Sequence, residues 1–459
     1  MRDLLLTAIV FGALPFILKR PYIGILMWIW ISVMNPHRLT YGFAHDFPYA
    51  EIIALTTLLS FVFTRDERHF PFTAATVSLI LFMFWMNITS IFAIHFDQLY
   101  HHWSTVMKML LMTFVAITVL HSKEHIRLMI WVLVISVGFY GLKGGIFTLN
   151  GNGSLVLGPE NSFIEENNSL AVALLMTIPL MRYLQMTEAS KWIRLGLTAA
   201  MVLCGLSALG SYSRGALIAI AFSALFLWLK SPRKLPMGIA MVILLPLLIA
   251  FMPAKWEARM NTINDYQQDG SAIGRINAWH MAWNLALDRP LVGGGFEIYD
   301  PGVFARYAPN PLNVHAAHSI YFQALGEHGF VGLAFFLAMG FFTWRSGSWI
   351  IARTRDRPDL SWASNLAKML QVSQIAYATG GAFLSLLYFD LPYYILVAMV
   401  LTKMLVEKEL ELNAVAVPDK MEKSIFKQPR NRIVAMRTAK LLARHESRKR
   451  TQPIEEESS

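Results

Sequence analysis

Apolar runs of roughly 20 residues, each long enough to cross a hydrocarbon core of about 30 Å, recur along most of the chain between short polar turns. The pattern predicts membrane-crossing helices near 4–18, 22–35, 50–64, 73–95, 104–121, 126–148, 168–186, 195–211, 214–230, 235–252, 318–343, 364–388 and 391–406. The first two are short and joined only by Lys19, Arg20 and Pro21. They also read as one broken hairpin, which leaves about 12 crossings. The short alternating strands of a transmembrane barrel are missing. The expected fold is all-α, a polytopic membrane helical bundle.

One long polar excursion interrupts this rhythm, at 251–329. It divides the chain into N-terminal membrane helices (1–252), a large loop (253–317), C-terminal membrane helices (318–406) and a basic tail (407–459).

Composition supports the membrane reading. Of 459 residues, 55% are hydrophobic and only 15% charged, with a mean hydropathy of +0.45. A soluble domain carries roughly 25% charged residues. The net charge of +10 lies largely in the tail and a few short loops, so it reads as topology and not as nucleic-acid binding. The single cysteine, Cys204, excludes an internal disulfide and any cysteine-based metal site. No small-residue cleavage site follows Leu18, so the first apolar run is expected to stay as a helix.

Basic loops at 65–68, 123–127, 191–194, 230–234 and 345–357 alternate with lysine-poor ones. The positive-inside bias places the basic set and the tail in the cytoplasm, and the large loop on the outside. In a Gram-negative cell that side is the periplasm. Trp28, Trp30, Trp103, Trp192 and Trp344 fall near predicted span ends, as interfacial anchors do. In the tail, 432–444 interleaves apolar and basic residues, which suits either an amphipathic helix on an anionic leaflet or a solvated tail.

Candidate chemistry gathers around the loop. Arg214 stands at the junction of two spans, where it either snorkels to the interface or grips phosphate with its two-pronged guanidinium. Arg275 heads a helical segment running to Asp288, with Trp279 and Trp283 one turn apart on one face. Those tryptophans fit membrane anchors or a substrate-facing stripe equally. Arg289, before Pro290, is either a substrate ligand or a basic residue near a helix C-terminus. The triple glycine at 293–295 is too generic for a nucleotide site.

His315 and His318 have a metal-like spacing but no supporting carboxylate or cysteine cluster, so no metal is expected. His318 is expected to open a helix through Tyr321 and Leu325, where the dipole disfavours its charged form. A neutral imidazole there can take a proton from a hydroxyl. A polar cap on the span is the plainer use. Glu327, about two and a half turns on, could support the site from a distance. The polar clusters 158–161 and 165–168 lie on the same predicted side and fit either contact with sugar hydroxyls or an ordinary exposed loop.

Four motifs, in order, carry a resemblance. They are Ser213-Arg214-Gly215-Ala216, the Gly274-Arg275 pair with Trp279, Arg289-Pro290-Leu291 with Gly293 and Gly295, and His318-Ser319 with Tyr321, Leu325, Glu327 and Gly329. Together they resemble the O-antigen ligase and O-antigen polymerase superfamily, over roughly 165–405. The N-terminal part also resembles its branch of O-glycosylation ligases, some associated with exosortase systems. Ser319 stands where the family usually has asparagine.

The resemblance implies a GT-C-like fold in the bacterial inner membrane. It also implies an inverting, metal-independent and cofactor-independent transfer of a glycan from undecaprenyl pyrophosphate on the periplasmic face. By it, Arg214 and Arg275 hold the donor pyrophosphate and His318 is the general base. Arg289, Trp279, Tyr321 and Glu327 are expected to bind substrate. The acceptor is expected to be lipid A–core oligosaccharide, with a protein hydroxyl or a second lipid-linked glycan as alternatives. A transporter for lipid-linked sugar would need charged residues deep in its spans and pseudo-symmetric halves, and neither is evident. A membrane scaffold would leave the motif set unexplained.

Overall fold

The computed structural model describes residues 1–65, 68–150, 156–211, 213–231, 234–236, 238–239, 242–243 and 270–427. Among them there are helices and no strand. The expected span at 235–252, the start of the large loop and the 432–444 stretch lie wholly or largely outside these residues.

The first two apolar runs are separate helices, α1 (Arg2–Lys19) and α2 (Pro21–Ile29), divided by Arg20 in an extended conformation. Pro21 sits at the first turn of α2, where its missing N–H costs nothing. A π-helical turn, Trp30–Met34, carries α2 on to Asn35, which has φ 49°. There follow α3 (Tyr49–Phe63), α4 (Ala74–Ile91), α5 (Tyr100–Val119), α6 (Lys123–Leu149), α7 (Asn167–Thr187), α8 (Lys191–Leu209) and α9 (Arg214–Lys230). Beyond the large loop come α10 (Gly270–Asp288), the short α11 (Pro301–Tyr307), α12 (Ile320–Arg353), α13 (Ser361–Gly380) and α14 (Asp390–Lys427).

Among the described residues, six helices (α4 to α8 and α12) are long and apolar enough to cross a membrane. Shorter apolar helices cover Pro21–Met34, Tyr49–Phe63 and Gly215–Lys230. The count of crossings therefore rests on fewer full-length spans than the sequence pattern suggests.

α13 departs most from expectation. The 364–388 run ends as a helix at Gly380, continues as a 3-10 turn (Gly381–Phe383) and then runs extended from Leu384. Two close approaches fix that end. A Cβ on Gly380 would lie 2.4 Å from Val172 of α7, and one on Gly381 would lie 2.7 Å from Ile320 of α12. α13 packs against α7, α9 and α12 and buries Gln371 and Ser373 along with its apolar residues. Its polar content marks an interior helix, whose polar groups find partners inside the bundle: Gln371 reaches the Trp344 carbonyl at 3.0 Å.

The glycine-rich turn after α10 has a structural purpose. α12 is broken at Gly329, whose φ of 69° and ψ of −172° suit only glycine. The break frees carbonyls that water could not satisfy inside a membrane. Gly294 N–H donates to the Gly326 carbonyl and Gly295 N–H to that of Glu327, both at 2.8 Å. Phe330 N–H donates back to the Pro290 carbonyl at 2.9 Å. Trp85 of α4 closes the set on the His328 carbonyl at 3.0 Å. A Cβ on Gly293 would stand 2.6 Å from the Gly326 oxygen, so this contact is backbone against backbone. The arginine–proline–glycine motif and the end of the histidine motif are thus two halves of one joint.

Candidate active site

α10 builds the support for His318. Asn277 donates from Nδ2 to the carbonyls of Asn310 (2.8 Å) and Asn313 (2.9 Å), and its Oδ1 accepts from Asn310 N–H. Two residues on, Trp279 donates from Nε1 to the Ala317 carbonyl at 2.7 Å and stacks on Phe322 at 5.1 Å. Gly274 lets His315 lie against the helix, since a Cβ there would come within 2.8 Å of the ring. The segment that leads into His318 therefore hangs from the first half of α10.

His318 does not open α12. Ser319 is the N-cap, with Oγ accepting from Phe322 N–H, and the helix begins at Ile320. His318 precedes it with φ 42°, a left-handed conformation that costs a β-substituted residue about 1–3 kcal/mol. Its N–H donates to Ser385 Oγ at 3.1 Å, in the extended stretch after α13. Burial is the chief cause that holds the imidazole pKa below 6.5; the Arg275 charge adds to it, Glu166 opposes it, and His315 lowers it further. The ring is neutral at neutral pH and able to accept a proton.

Two further helix starts close on this point. Asn167, the first residue of α7, donates from Nδ2 to the Ser211 carbonyl at 2.5 Å. Ser213 caps α9, accepting from Ala216 N–H at 3.1 Å, and Arg214 is the first residue of that helix. A Cβ on Gly215 would be 3.2 Å from the Phe383 side chain, two residues from the Ser385 that holds His318. The N-termini of α7 and α9, the Arg275 end of α10 and the His318 turn are thus linked contact by contact. Helix N-termini carry partial positive charge and unpaired N–H groups, a setting suited to an anion.

The other sequence candidates take different places. Arg289 lies at the far end of α10, about 21 Å along the axis from Arg275. It donates to the Phe92 carbonyl. Trp279 and Trp283 both meet α12, on Phe322 and Phe330, and Trp283 stays exposed on its other side. Tyr321 donates to the Ala378 carbonyl at 2.8 Å and lines an apolar cavity of ≈ 310 Å³ with Ile320, Phe336, Tyr377 and Leu396. Glu327 is buried and held by Gln323 and Tyr388. The Tyr388 hydroxyl also meets His328 Nε2 at 2.6 Å, and Thr89 meets its Nδ1 at 2.8 Å. That network ties α4, α12 and the turn before α14 together.

Ser385, Asn277 and Phe383 escaped the sequence reading. Ser385 sits in an apolar run that looks like the end of a span, and no local signal marks it. Glu166 and Asn167 were visible as a polar cluster without a partner; the fold supplies one. Among the described residues no group of three or more His, Cys, Asp or Glu side chains is placed to hold a metal ion.

These features define a helical membrane protein with an anion-friendly, histidine-bearing site at one end of its bundle. Residues 199–337 match the family model described as O-antigen ligase, a stretch that holds all seven candidate residues from Arg214 to Glu327. Residues 1–189 match a family of unknown function. A search of curated proteins gives no match. The match over residues 199–337 supports membership of the O-antigen ligase superfamily. That family indicates O-antigen ligase- or polymerase-like function and implies a lipid-linked glycan and an acceptor as partners.

Proposed function

We propose that the protein transfers an O-antigen glycan from undecaprenyl pyrophosphate to lipid A–core oligosaccharide, with inversion at the anomeric carbon, at the periplasmic face of the bacterial inner membrane. The observation that carries this reading is a neutral, half-buried His318 beside the Arg275 charge, linked to the N-terminus of α9 where Arg214 begins. The acceptor oxygen attacks the anomeric carbon as its proton passes to the His318 ring. The bond from that carbon to the pyrophosphate oxygen breaks, and undecaprenyl pyrophosphate leaves with the electron pair. Arg214 and Arg275 offset the charge that builds on it. The apolar cavity below Ile320 and Tyr321 is suited to the polyprenyl chain next to its head group. No step in this scheme calls for a metal or cofactor.

Reconstituted protein with a lipid-linked donor and separate lipid A–core, protein and glycan acceptors tests the reading. Transfer to lipid A–core supports it. Transfer only to protein hydroxyls, or only to a second lipid-linked glycan, replaces it by the oligosaccharyltransferase or polymerase reading. Donor bound without transfer, together with its movement across the vesicle membrane, would favour a transporter.

Arg275→Gln carries its own signature. Loss of a charged ligand to the leaving group is expected to lower kcat by about 10²-fold or more. The same change removes a charge that depresses the His318 pKa, so the acid limb of the residual rate profile moves to higher pH. Glu166→Gln is expected to move that limb the other way. A profile unmoved by both variants separates His318 from the base.

A further inference from the structure

The sequence assigned Lys191 and Arg194 to a cytoplasmic loop charge, and the proposed reaction does not use them. In the structure they face a groove of ≈ 610 Å³ at the C-terminal end of α7, lined also by Arg182, Gln185, Thr198 and Asn365. This lies toward the opposite end of α7 from Asn167, about 25 Å away along the helix.

Helical spacing makes the groove. Lys191, Arg194 and Thr198 recur at positions i, i+3 and i+7 on α8, and Arg182 and Gln185 at i and i+3 on α7. Gln185 is fixed from α8, donating to Thr198 Oγ1 at 2.5 Å and reaching the Arg194 carbonyl at 3.4 Å. Its Oε1 in turn accepts from Arg182 and holds that guanidinium in place. Among the described residues no carboxylate pairs with Arg182, Lys191 or Arg194. The nearby Glu188 is taken by Arg127 at 2.5 Å.

Three cations thus share one groove, and two of them, Lys191 and Arg194, stand at the N-terminus of α8, the end where a helix dipole disfavours positive charge. An anion relieves both the mutual repulsion and the dipole. The guanidinium and ammonium donors suit phosphate oxygens, while Gln185 and the Thr198 hydroxyl, which donates to the Arg194 carbonyl at 2.8 Å, shape the wall. The adjoining face of α8 is apolar and open, with Trp192 72% and Leu195 59% exposed, so the groove mouth meets a surface fit for acyl chains.

We propose that the groove formed by Arg182, Gln185, Lys191, Arg194 and Thr198 binds the phosphate group of an anionic ligand, which the apolar face of α8 favours as a membrane phospholipid. The site stands apart from the reaction centre and from the pyrophosphate ligands there.

The test uses the full-length protein in phosphatidylcholine nanodiscs with graded phosphatidylglycerol, and native mass spectrometry to count retained lipid. Inorganic phosphate serves as the soluble probe. Saturable retention of phosphatidylglycerol over phosphatidylcholine is expected. It should weaken by about tenfold in Arg182→Gln with Arg194→Gln and hold in Arg353→Gln with Arg355→Gln, which removes cations outside the groove. Displacement of the lipid by inorganic phosphate would support the phosphate site and point to a soluble source. Equal retention in wild type and the groove variant, or equal loss in the control pair, would overturn the proposal. If the double variant elutes as aggregate, the exposed Arg194→Gln alone makes the same comparison.

Discussion

Replacing His318 with alanine is expected to slow glycan transfer by about 10²–10⁴-fold, the usual contribution of a general base. Binding of the lipid-linked donor should persist, because Arg275 and the α9 N-terminus are untouched. The pair of measurements separates a lost base from a collapsed site: initial rates in vesicles, and retention of labelled donor. The pH profile gives a second check. Burial, Arg275 and His315 hold the His318 pKa below 6.5 against the pull of Glu166. The free enzyme should therefore keep its rate as pH falls to that value and lose it only below, as the ring takes up a proton. A wild-type acid limb above pH 6.5 would contradict the assigned electrostatics. An alanine variant with near wild-type rates would remove His318 from the mechanism.

The second large effect concerns stability. Gly329→Ala is expected to destabilise the protein by about 3 kcal/mol or more, from a backbone region open in practice to glycine alone plus direct overlap. The added Cβ would lie 2.4 Å from the Leu291 oxygen, 2.6 Å from its carbonyl carbon and 2.7 Å from the Pro290 oxygen. All three are main-chain atoms that cannot rotate away. Gly340→Ala, in the same helix, has nothing within 4 Å of the added carbon and should be neutral or slightly stabilising. Thermal aggregation of the purified protein in detergent compares the two. Equal melting would mean that the joint between the glycine turn and α12 does not bear on the fold.

Much of this architecture was legible because long apolar runs have one stable answer in a membrane. α4 to α8 and α12 follow directly from them. α13 was harder. Its Gln371 and Ser373 lower its hydropathy, and their partners lie on other helices, so only the packed structure distinguishes an interior helix from a weak span. The two glycine-bearing motifs were visible as letters, but their pairing joins residues far apart in sequence through main-chain bonds that no side chain announces.

The site was legible in its residue types more than in its geometry. His318, Arg275 and Arg214 were named from sequence, and the contacts link the elements that carry them. Arg289 was grouped with them by motif order, yet a helix of this length carries it to the other end of α10. The helix expected to open at His318 also starts two residues later, at Ile320. A serine with good capping chemistry follows the histidine, and it takes the helix start for itself.

The hold of Asn277 and Trp279 on the 310–317 segment has a consequence for how such an enzyme diversifies. The charge at Arg275 and the proposed base at His318 share one scaffold, so their spacing is set largely within 275–318, with Ser385 as the outside support. The cavity lining comes from α7, α12, α13 and α14, mostly outside that stretch. Proton affinity and lipid accommodation are thus governed by largely separate parts of the chain, and one can drift while the other is kept.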